Sequence, residues 1–416
     1  MKIDKTFCAV SIDKDKCKGC INCMKRCPTQ AIRVRKDKAE IDYTRCVSCG
    51  ECIRICPNKA KYATYDTLDS LSNFEYKVAL AAPSFLGQFP NVQKPEIITN
   101  ALKNIGFDDV FEVARGADIV SELTRRKLAE KDCPRPLIST ACPVCVQLIL
   151  MRFHDLAGNL LDILPPLEIS AKMARERALR KTGLKSEQIG VFFISPCPAK
   201  MASTKTGLYT EECEIDGVIS MSEVCLKLMH IQQSEVEITE PLTASNLGVA
   251  WATSGGEVSN LNVNNQLAAD GIENVISVLT ELENGKLKHL DFVELNACPG
   301  GCVGGVFTIE NPFVAKSKIH TLRKKSMLGK INTEDKPEGK EPYVIEKEWE
   351  PVDVFRLDDD FRKAFEKLGK VEALLTELPG FDCGICGAPS CRAFAEDVAN
   401  GKAKITDCLR LHKNAD

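Results

Sequence analysis

The sequence predicts a multidomain α/β (α+β) fold, in which cysteine-rich modules near both ends flank a larger α/β region. In that region, predicted strands over 136–140, 190–195 and 292–296 each run into a loop that carries a cysteine next to a proline. Most other cysteines fall into short runs near the two ends. With 416 residues, of which 44% are hydrophobic, the chain is long enough for two or three domains of ordinary globular composition.

Composition also limits the class of protein. The formal net charge is −3, which gives no reason to expect a nucleic-acid or membrane-surface partner. We find no apolar run of about 18 residues and no apolar signal core at the start, so we expect a cytoplasmic protein without a membrane span. In that compartment the 21 cysteines indicate metal ligands rather than disulfides.

The N-terminal module, assigned to residues 1–75, contains two copies of one cysteine pattern. In each copy the spacers have two, two and three residues, and proline follows the last cysteine. Bacterial ferredoxins with two 4Fe-4S clusters have this pattern, and the fourth cysteine of each run binds the other cluster. The expected ligand sets are Cys17, Cys20, Cys23 and Cys56 for one cluster, and Cys46, Cys49, Cys52 and Cys27 for the other. Zinc, the alternative, uses two pairs of ligands.

Residues 76–315 show the mixture of strands and helices expected of an α/β unit. A buried strand is predicted over 77–83, and helical periodicity marks 95–105, 117–131 and 169–181. Because the cysteine loops follow strands, the ligands should gather at strand ends, where sites are common in α/β folds. We expect two lobes around that site.

Three loops of this unit supply four thiolates. The loops cover 140–145, 195–200 and 294–305, and their candidate ligands are Cys142, Cys197, Cys298 and Cys302. Thiolates bind soft metals, and four of them hold one iron–sulfur cubane. The last loop also contains four glycines, which allow backbone to approach a bulky inorganic group.

In this order the three loops resemble the active-site motifs of the iron-only (FeFe) hydrogenases. The resemblance implies a two-lobed α/β hydrogenase catalytic domain, in which the four cysteines hold a 4Fe-4S cubane. It implies that Cys302 also bridges to a di-iron subcluster carrying CO, cyanide and a dithiolate. Lys200 and the loop with Pro83 and Ser84 match the groups that contact the two cyanides. The implied substrates are H2 and protons, with electrons relayed through the 4Fe-4S clusters to a ferredoxin-like donor or acceptor.

Two glycines, Gly255 and Gly256, lie before a stretch with helical character. Backbone NH groups at such a position could face an anionic cyanide ligand, so both are candidate cofactor-binding residues. A plain helix N-terminus is the alternative interpretation.

Several positions depart from the motifs of catalytic family members. Ala141 stands where those proteins have a cysteine that relays protons, and its methyl group can neither donate nor accept one. Ser195 and Asn296 replace methionines and place polar groups beside the cluster, where they should alter its hydrogen bonding and potential. Glu122 lies near the expected proton path but is out of register.

The sequence retains the cluster ligands but lacks the proton relay. This combination resembles the sensory branch of these hydrogenases. The first hypothesis is a slow, hydrogen-reactive sensory or regulatory enzyme. The second is a bidirectional, ferredoxin-linked metabolic hydrogenase with another proton path, and the third is a non-enzymatic iron–sulfur assembly or scaffold protein without the di-iron unit. No output domain is visible, so signalling would need a partner protein. The oligomeric state stays open, with a homodimer as one alternative.

Beyond residue 315 the sequence predicts a charged linker over 316–355 and a C-terminal module over 356–416. The spacing of Cys383, Cys386, Cys391 and Cys408 resembles the small 4Fe-4S domain of the corrinoid iron–sulfur protein, so a fourth cubane is expected, with zinc as the alternative. A stripe at helical spacing from Phe361 to Leu378 is interpreted as core. The remaining cysteines are interpreted as small buried hydrophobes: Cys8, Cys133, Cys145, Cys213 and Cys225.

Overall fold

The structure is a computed structural model that describes residues 4, 6–90, 95–231, 233–325, 343–345 and 348–411. The chain divides by packing into two compact units. The first consists of Met1–Ala9 and Tyr65–Glu350, and the second of Val10–Thr64 and Pro351–Asp416. The four-part division expected from the cysteine patterns stays a prediction, because these units follow packing rather than motif.

The strands of the described residues are numbered in chain order. They are β1 (Val10–Ile12), β2 (Ile32–Arg35), β3 (Lys38–Ile41), β4 (Lys61–Ala63), β5 (Tyr76–Ala81), β6 (Asp109–Glu112), β7 (Leu137–Ile138), β8 (Ile189–Ser195), β9 (Gly217–Ser220), β10 (Gln266–Asp270) and β11 (Phe292–Asn296).

The α-helices are numbered in the same way. They are α1 (Asn22–Lys25), α2 (Glu51–Arg54), α3 (Pro95–Asn100), α4 (Val113–Leu128), α5 (Pro143–Arg152), α6 (Pro166–Thr182), α7 (Pro198–Thr206), α8 (Met221–Leu228), α9 (Asn246–Ala250), α10 (Ile272–Glu283), α11 (Pro312–Lys325), α12 (Phe361–Glu377) and α13 (Cys391–Ala399).

The first unit contains two parallel sheets, which confirms the predicted α/β architecture. One sheet has the strand order β6-β5-β8-β9, and the other has the order β10-β11-β7. Every residue of β8 is buried, as is typical of a parallel strand covered on both faces. All three strands that were predicted to precede a cysteine loop are present, although β7 is only two residues long.

The second unit combines the ferredoxin-like segment with the C-terminal module. The ferredoxin-like segment has two antiparallel pairs, β1 with β4 and β2 with β3. In the C-terminal module, α12 and α13 enclose a small core around Val371, Phe394 and Cys408.

Two expectations beyond residue 315 need correction. The predicted linker begins at residue 316, but α11 continues to Lys325, because Ala315 and Ile319 on its inner face are fully buried. Residues 326–342 and 346–347 of that linker lie outside the described residues. The stripe on α12 is core only in its second half, since the side chains of Phe361 and Phe365 are 76% and 69% exposed.

Among the described residues, no helix combines the length and the apolar character needed to cross a bilayer.

Candidate functional site

The site of the first unit lies at the carboxyl ends of parallel strands from both sheets. In the four-stranded sheet, β5 leads to Pro83 and Ser84, and β8 leads to Cys197. In the three-stranded sheet, β7 and β11 lead to the loops of Cys142 and Cys298. Parallel strands bring their carboxyl ends to one edge, which explains why residues so distant in sequence can meet here.

One pocket collects the residues predicted to contact the di-iron unit. Its empty space is about 620 Å³, including its opening to solvent, which is within the usual range for ligand sites. Its wall includes six of the predicted site residues: Pro83, Ser84, Ala141, Lys200, Asn296 and Cys302. Val113, Leu167, Phe193 and Trp251 supply apolar surface, so the pocket wall is mostly apolar.

Lys200 enters this pocket from the first turn of α7, after Cys197 and Pro198. It is 9% exposed, and its Nζ donates a 2.8 Å hydrogen bond to the carbonyl oxygen of Ala141. An ammonium group has three donors, so two remain for an anion in the pocket.

Two buried oxygens in the pocket wall have no hydrogen-bond partner among the described residues. They are Oγ of Ser84, which is fully buried, and Oε1 of Glu257. Leaving a buried polar group unpaired costs free energy, so such groups indicate a ligand or water that is part of the functional site. Ser84, Lys200 and Cys302 together offer a hydroxyl, a cation and a thiol. This set fits an iron unit with anionic ligands.

The thiols of the three cysteine loops influence one another electrostatically. A hydrogen bond from Cys145 lowers the pKa of Cys142 to about 6, which favours the thiolate form that binds metal. Burial raises the pKa of Cys302 to about 12, and Lys200 opposes that rise. Burial also raises the pKa of Cys197 to about 11, with Lys200 again opposing. Metal binding would therefore have to displace protons from these two thiols.

The glycines of the third loop include two with positive φ, Gly300 at 78° and Gly301 at 94°, and one, Gly305, at a close contact between two loops. An ideal Cβ on Gly305 would lie 2.1 Å from the carbonyl oxygen of Pro196, so a side chain here would collide with the second loop. Phe307 NH donates to the same oxygen at 3.0 Å. Glycine at this position thus allows two cysteine loops to pack backbone against backbone.

The structure does not support the predicted role of Gly255 and Gly256. Gly255 NH donates to Oε1 of Glu294 at 3.0 Å, and Gly256 NH donates to the carbonyl oxygen of Thr253 at 2.9 Å. Both glycines line a separate, open cleft beside α11. Their NH groups already have acceptors inside the protein, which is why they are not available to a cyanide.

The side chains of Ser195 and Asn296 also form hydrogen bonds with other groups of the protein. The Ser195 hydroxyl donates to the carbonyl oxygen of Cys197 at 2.7 Å and accepts from Cys197 NH at 3.2 Å, which shapes the second loop. Asn296 does reach the pocket wall, and its Nδ2 donates to Oε1 of Glu294 at 2.8 Å.

Two glutamates that the sequence analysis gave no role, Glu257 and Glu294, line the pocket. Burial raises the pKa of Glu257 well above its usual value, and the neighbouring Glu294 raises it further. Burial also raises the pKa of Glu294, although the NH groups of Val258 and Gly255 stabilise its charge. Glu257 follows the two glycines of one candidate stretch, and Glu294 begins the third cysteine loop. A carboxylate inside a predicted site stretch is the feature of the sequence that could have identified them.

Glu257 is joined to the first cysteine loop through a hydroxyl. Ser139 Oγ donates to Oε2 of Glu257 at 2.6 Å and accepts from Ala141 NH at 3.2 Å. By contrast, Glu122 lies away from the pocket and pairs with Arg125 at 2.7 Å and Arg126 at 3.2 Å. A hydrogen bond from Arg125 lowers the pKa of Glu122, which makes it a poor proton donor.

In the second unit, the ferredoxin-like segment groups its cysteines in the predicted crossed manner. One pocket is lined by Cys27, Cys46, Cys49 and Cys52, hereafter the second ferredoxin site. Burial raises the pKa of Cys23, and the nearby thiols of Cys20, Cys56 and Cys17 raise it further. These four form the first ferredoxin site. Backbone NH groups of Ala31 and Ala60 donate to the sulfurs of Cys27 and Cys56 at 3.2 and 3.3 Å, as in a repeated motif.

A third pocket of this unit is lined by the cysteines of the C-terminal site: Cys383, Cys386, Cys391 and Cys408. This module is fastened to the ferredoxin-like segment through Asp397, which accepts from Arg33 Nε at 2.7 Å and Arg35 Nη2 at 2.6 Å. Arg35 also donates to the carbonyl oxygen of Cys386 at 2.8 Å. Within the described residues, no group of His, Cys, Asp and Glu is arranged to hold a single metal ion.

Three family models match the chain, and they correspond to the three kinds of cysteine site. The iron only hydrogenase large subunit, C-terminal domain, matches residues 75–267 and 248–306. A 4Fe-4S dicluster domain matches residues 9–57, and an Fe-S cluster family matches residues 378–410. These matches support iron–sulfur clusters in both units.

Relatives of known name point the same way. Iron hydrogenase 1 of Clostridium pasteurianum is 24% identical over 260 residues, which are 50% of this chain and 44% of the relative. The NADP-reducing hydrogenase subunit HndD of Solidesulfovibrio fructosivorans is 22% identical over 315 residues, 63% of this chain and 53% of the relative. The chain thus spans about half the length of the curated relatives it matches.

Solved structures share the fold. A variant of the FeFe hydrogenase HydA1 from Chlamydomonas reinhardtii aligns with a TM-score of 0.51 and 18% identity, over 64% of this chain and 90% of that one. The hydrogenase family model alone covers more than half of the 416 residues. The chain therefore belongs to the family of the iron-only hydrogenase large subunit, C-terminal domain.

Proposed function

We propose that this protein is a FeFe hydrogenase that binds H2 at a cubane joined to a di-iron subcluster and turns it over slowly, in a sensory or regulatory role. The observation that carries the proposal is the pocket wall in which Ser84, Lys200 and Cys302 meet. Cys142, Cys197, Cys298 and Cys302 would hold the cubane, and Cys302 would bridge to the di-iron unit. When bound, that unit would supply the metal chemistry that splits or forms H2.

The residues around the pocket have defined roles in this proposal. Lys200 and Ser84 would hold the two anionic ligands by hydrogen bonds from a cation and a hydroxyl. The apolar wall would exclude water and so strengthen those bonds. Ala141 offers no titratable group beside Cys142, so protons would have to come from elsewhere.

Glu257 is the group best placed to exchange protons with the pocket. Burial raises its pKa well above the usual value for a glutamate, which favours the protonated acid over the carboxylate, and its Oε1 has no partner among the described residues. A carboxyl group in a mostly apolar pocket, with one oxygen that has no partner among the described residues, can hold or release one proton. This observation favours, as a second candidate, a bidirectional metabolic hydrogenase that uses Glu257 in place of the missing cysteine.

Electron transfer would use four cubane sites. They are the two ferredoxin sites, the C-terminal site and the site of the three cysteine loops. The redox partner would be a ferredoxin-like carrier or a signalling protein. A non-enzymatic scaffold without the di-iron unit is the alternative, but it gives no role to the buried hydroxyl of Ser84, which has no partner among the described residues.

An infrared spectrum of anaerobically matured protein tests the proposal. We expect CO and cyanide stretching bands, and their absence after maturation that activates a reference hydrogenase would favour the scaffold alternative. Rates of H2 oxidation and of proton reduction then separate the other two. Slow turnover in both directions supports the regulatory role, whereas rapid turnover supports the metabolic one.

A further inference from the structure

Lys61 occupies an unusual place for a lysine. It begins β4, where it pairs with Ile12 of β1, and it is only 4% exposed. The next residue, Tyr62, is 50% exposed. Because side chains alternate along a strand, Lys61 is directed into the ferredoxin-like segment while Tyr62 faces solvent.

The buried end of this side chain lacks an obvious counterion. Lys61 Nζ has no hydrogen-bond partner among the described residues. Lysines are seldom buried so fully without a partner, and those at surfaces extend their charged ends into water instead. The ammonium group therefore needs another source of negative charge.

The thiols of both ferredoxin sites provide such a source. The residue before Lys61, Ala60, donates from its backbone NH to Sγ of Cys56, a cysteine of the first site, at 3.3 Å. The strand β4, which Lys61 begins, packs against α2, and α2 carries Cys52 of the second site. One cation thus reaches both sites.

We infer that Lys61 is the counterion shared by the two ferredoxin sites, and that it raises the reduction potential of the clusters held there. The inference rests on the proposed clusters of residues 10–64, but not on the reaction with H2. Electrons would come from a low-potential one-electron carrier. On each transfer the carrier is oxidised by one electron and the site gains one negative charge, with no bond formed or broken.

The effect follows from electrostatics. A positive charge in a poorly solvated interior stabilises the more negative, reduced state more than the oxidised one. The potential of a cluster depends on its net charge, its hydrogen bonds and its exposure to solvent. A single buried ammonium group between two sites should therefore make both easier to reduce.

The test is a redox titration of the full-length protein, loaded with 4Fe-4S clusters but without the di-iron unit, followed by electron paramagnetic resonance. Signals of the two ferredoxin sites are first identified by their loss in Cys20→Ser and Cys49→Ser proteins. We expect Lys61→Met to reduce the ratio of reduced to oxidised cluster at a given potential about tenfold, which is about 59 mV for one electron.

Two variants control for the change of side chain. Lys61→Arg retains the charge and should leave the midpoint potentials near those of the wild type. Lys59→Met removes an exposed cation that lies two residues before Lys61 and after Cys56 in the chain. It should shift the midpoint potentials much less, because solvent screens an exposed charge.

Unchanged potentials in Lys61→Met would overturn the inference. If Lys61→Met and Lys61→Gln both lose the ferredoxin clusters while Lys61→Arg retains them, Lys61 is needed for cluster retention and the inferred role in potential is wrong. If the wild-type protein itself shows neither ferredoxin signal after reconstitution, the proposed clusters fail, and the inference fails with them. Normal cluster signals without H2 activity would leave the inference standing and reject only the proposed hydrogenase reaction.

Discussion

Lys200 Nζ donates a 2.8 Å hydrogen bond to the carbonyl oxygen of Ala141, and this contact joins the two halves of the site. Lys200 follows β8 of the four-stranded sheet, whereas Ala141 follows β7 of the three-stranded sheet. The lysine therefore has two roles. It fixes the second loop against the first, and it presents its remaining donors to the pocket.

Replacing Lys200 with methionine should weaken retention of the di-iron unit. A charge-assisted hydrogen bond is typically worth about 1.5–3 kcal/mol, so we expect retention to fall roughly 10- to 150-fold. The measurement is competition for a synthetic di-iron complex, followed by the CO and cyanide infrared bands.

Lys205→Met is the matched control, because Lys205 lies on the same helix and its Nζ lies 3.9 Å from Oδ1 of Asp66, away from the pocket. It should leave retention unchanged. Equal retention in Lys200→Met and wild-type protein would show that Lys200 only positions the loop.

Glu257→Gln should slow turnover while the infrared bands remain. Glutamine preserves size and can still accept from Ser139, but it cannot transfer the acidic proton. A well-placed acid–base group typically contributes about 10²–10⁴-fold, and we expect a loss within that range. Turnover in both directions should be measured in H2O and D2O.

Glu122→Gln is the control for Glu257→Gln, since Glu122 pairs with arginines away from the pocket. Its activity should equal that of the wild type. Full activity in Glu257→Gln, with no change in the solvent isotope effect, would mean that protons enter by another route.

The sequence alone predicts the cysteine sites well because their chemistry imposes local spacing. The crossed ferredoxin pattern of Cys27 and Cys56 is one example, and the strand that precedes Cys197 is another. In these cases a motif, a strand and a proline lie within a few residues. Local pattern and final position therefore agree.

Contacts between distant segments could not be predicted in this way. Ser139 and Glu257 are 118 residues apart, and Arg33 and Asp397 are 364 apart. The local periodicity of the sequence carries no information about contacts between residues so far apart. The role predicted for Gly255 is not supported for the same reason, because its acceptor, Glu294, lies on β11, 39 residues further along the chain.

The attachment of the C-terminal module should depend on Asp397. Asp397→Asn leaves Arg33 and Arg35 with a neutral acceptor inside a largely buried contact, where the aspartate side chain is 11% exposed. Breaking fully buried pairs costs about 3–5 kcal/mol, and we expect about 2 kcal/mol here because Arg35 is 25% exposed. Hydrogen exchange of residues 383–400 in the holoprotein should accelerate accordingly.

The comparison variant is Glu372→Gln, which removes a pair with Arg392 whose side chains are more than half exposed. Pairs of this kind contribute about 0–1 kcal/mol, so exchange should change little. If the two variants behaved alike, Asp397 would not be the residue that fastens the module.

Iron content tests the number of cubanes. Four cysteine sites should give about sixteen irons before the di-iron unit is inserted. Cys391→Ser combined with Cys386→Ser should remove about four, since both cysteines line the C-terminal site. A wild-type content near twelve, with zinc bound to residues 379–416, would exclude the C-terminal cubane.

Glu168 should make stability depend on pH near neutrality. This residue lies in the first turn of α6 and is 4% exposed, and burial raises its pKa from 4.5 to about 7, against the charges of Lys200 and Lys172. Between those values the folded protein binds more protons than the unfolded chain. Stability is therefore full at low pH and falls as pH rises toward and through 7.

From pH 6 to pH 8 the loss from this one group should be about 1 kcal/mol. Glu168→Gln carries no charge at either pH, so its advantage over the wild type in thermal midpoint should grow from pH 6 to pH 8 by about 2 °C. Glu176→Gln, on the same helix with a side chain 65% exposed, should show no such growth. A constant difference between Glu168→Gln and wild type at both pH values would mean that Glu168 stays charged in the folded protein. In that case a nearby cation, with Lys200 the first to examine, stabilises its charge more strongly than burial disfavours it.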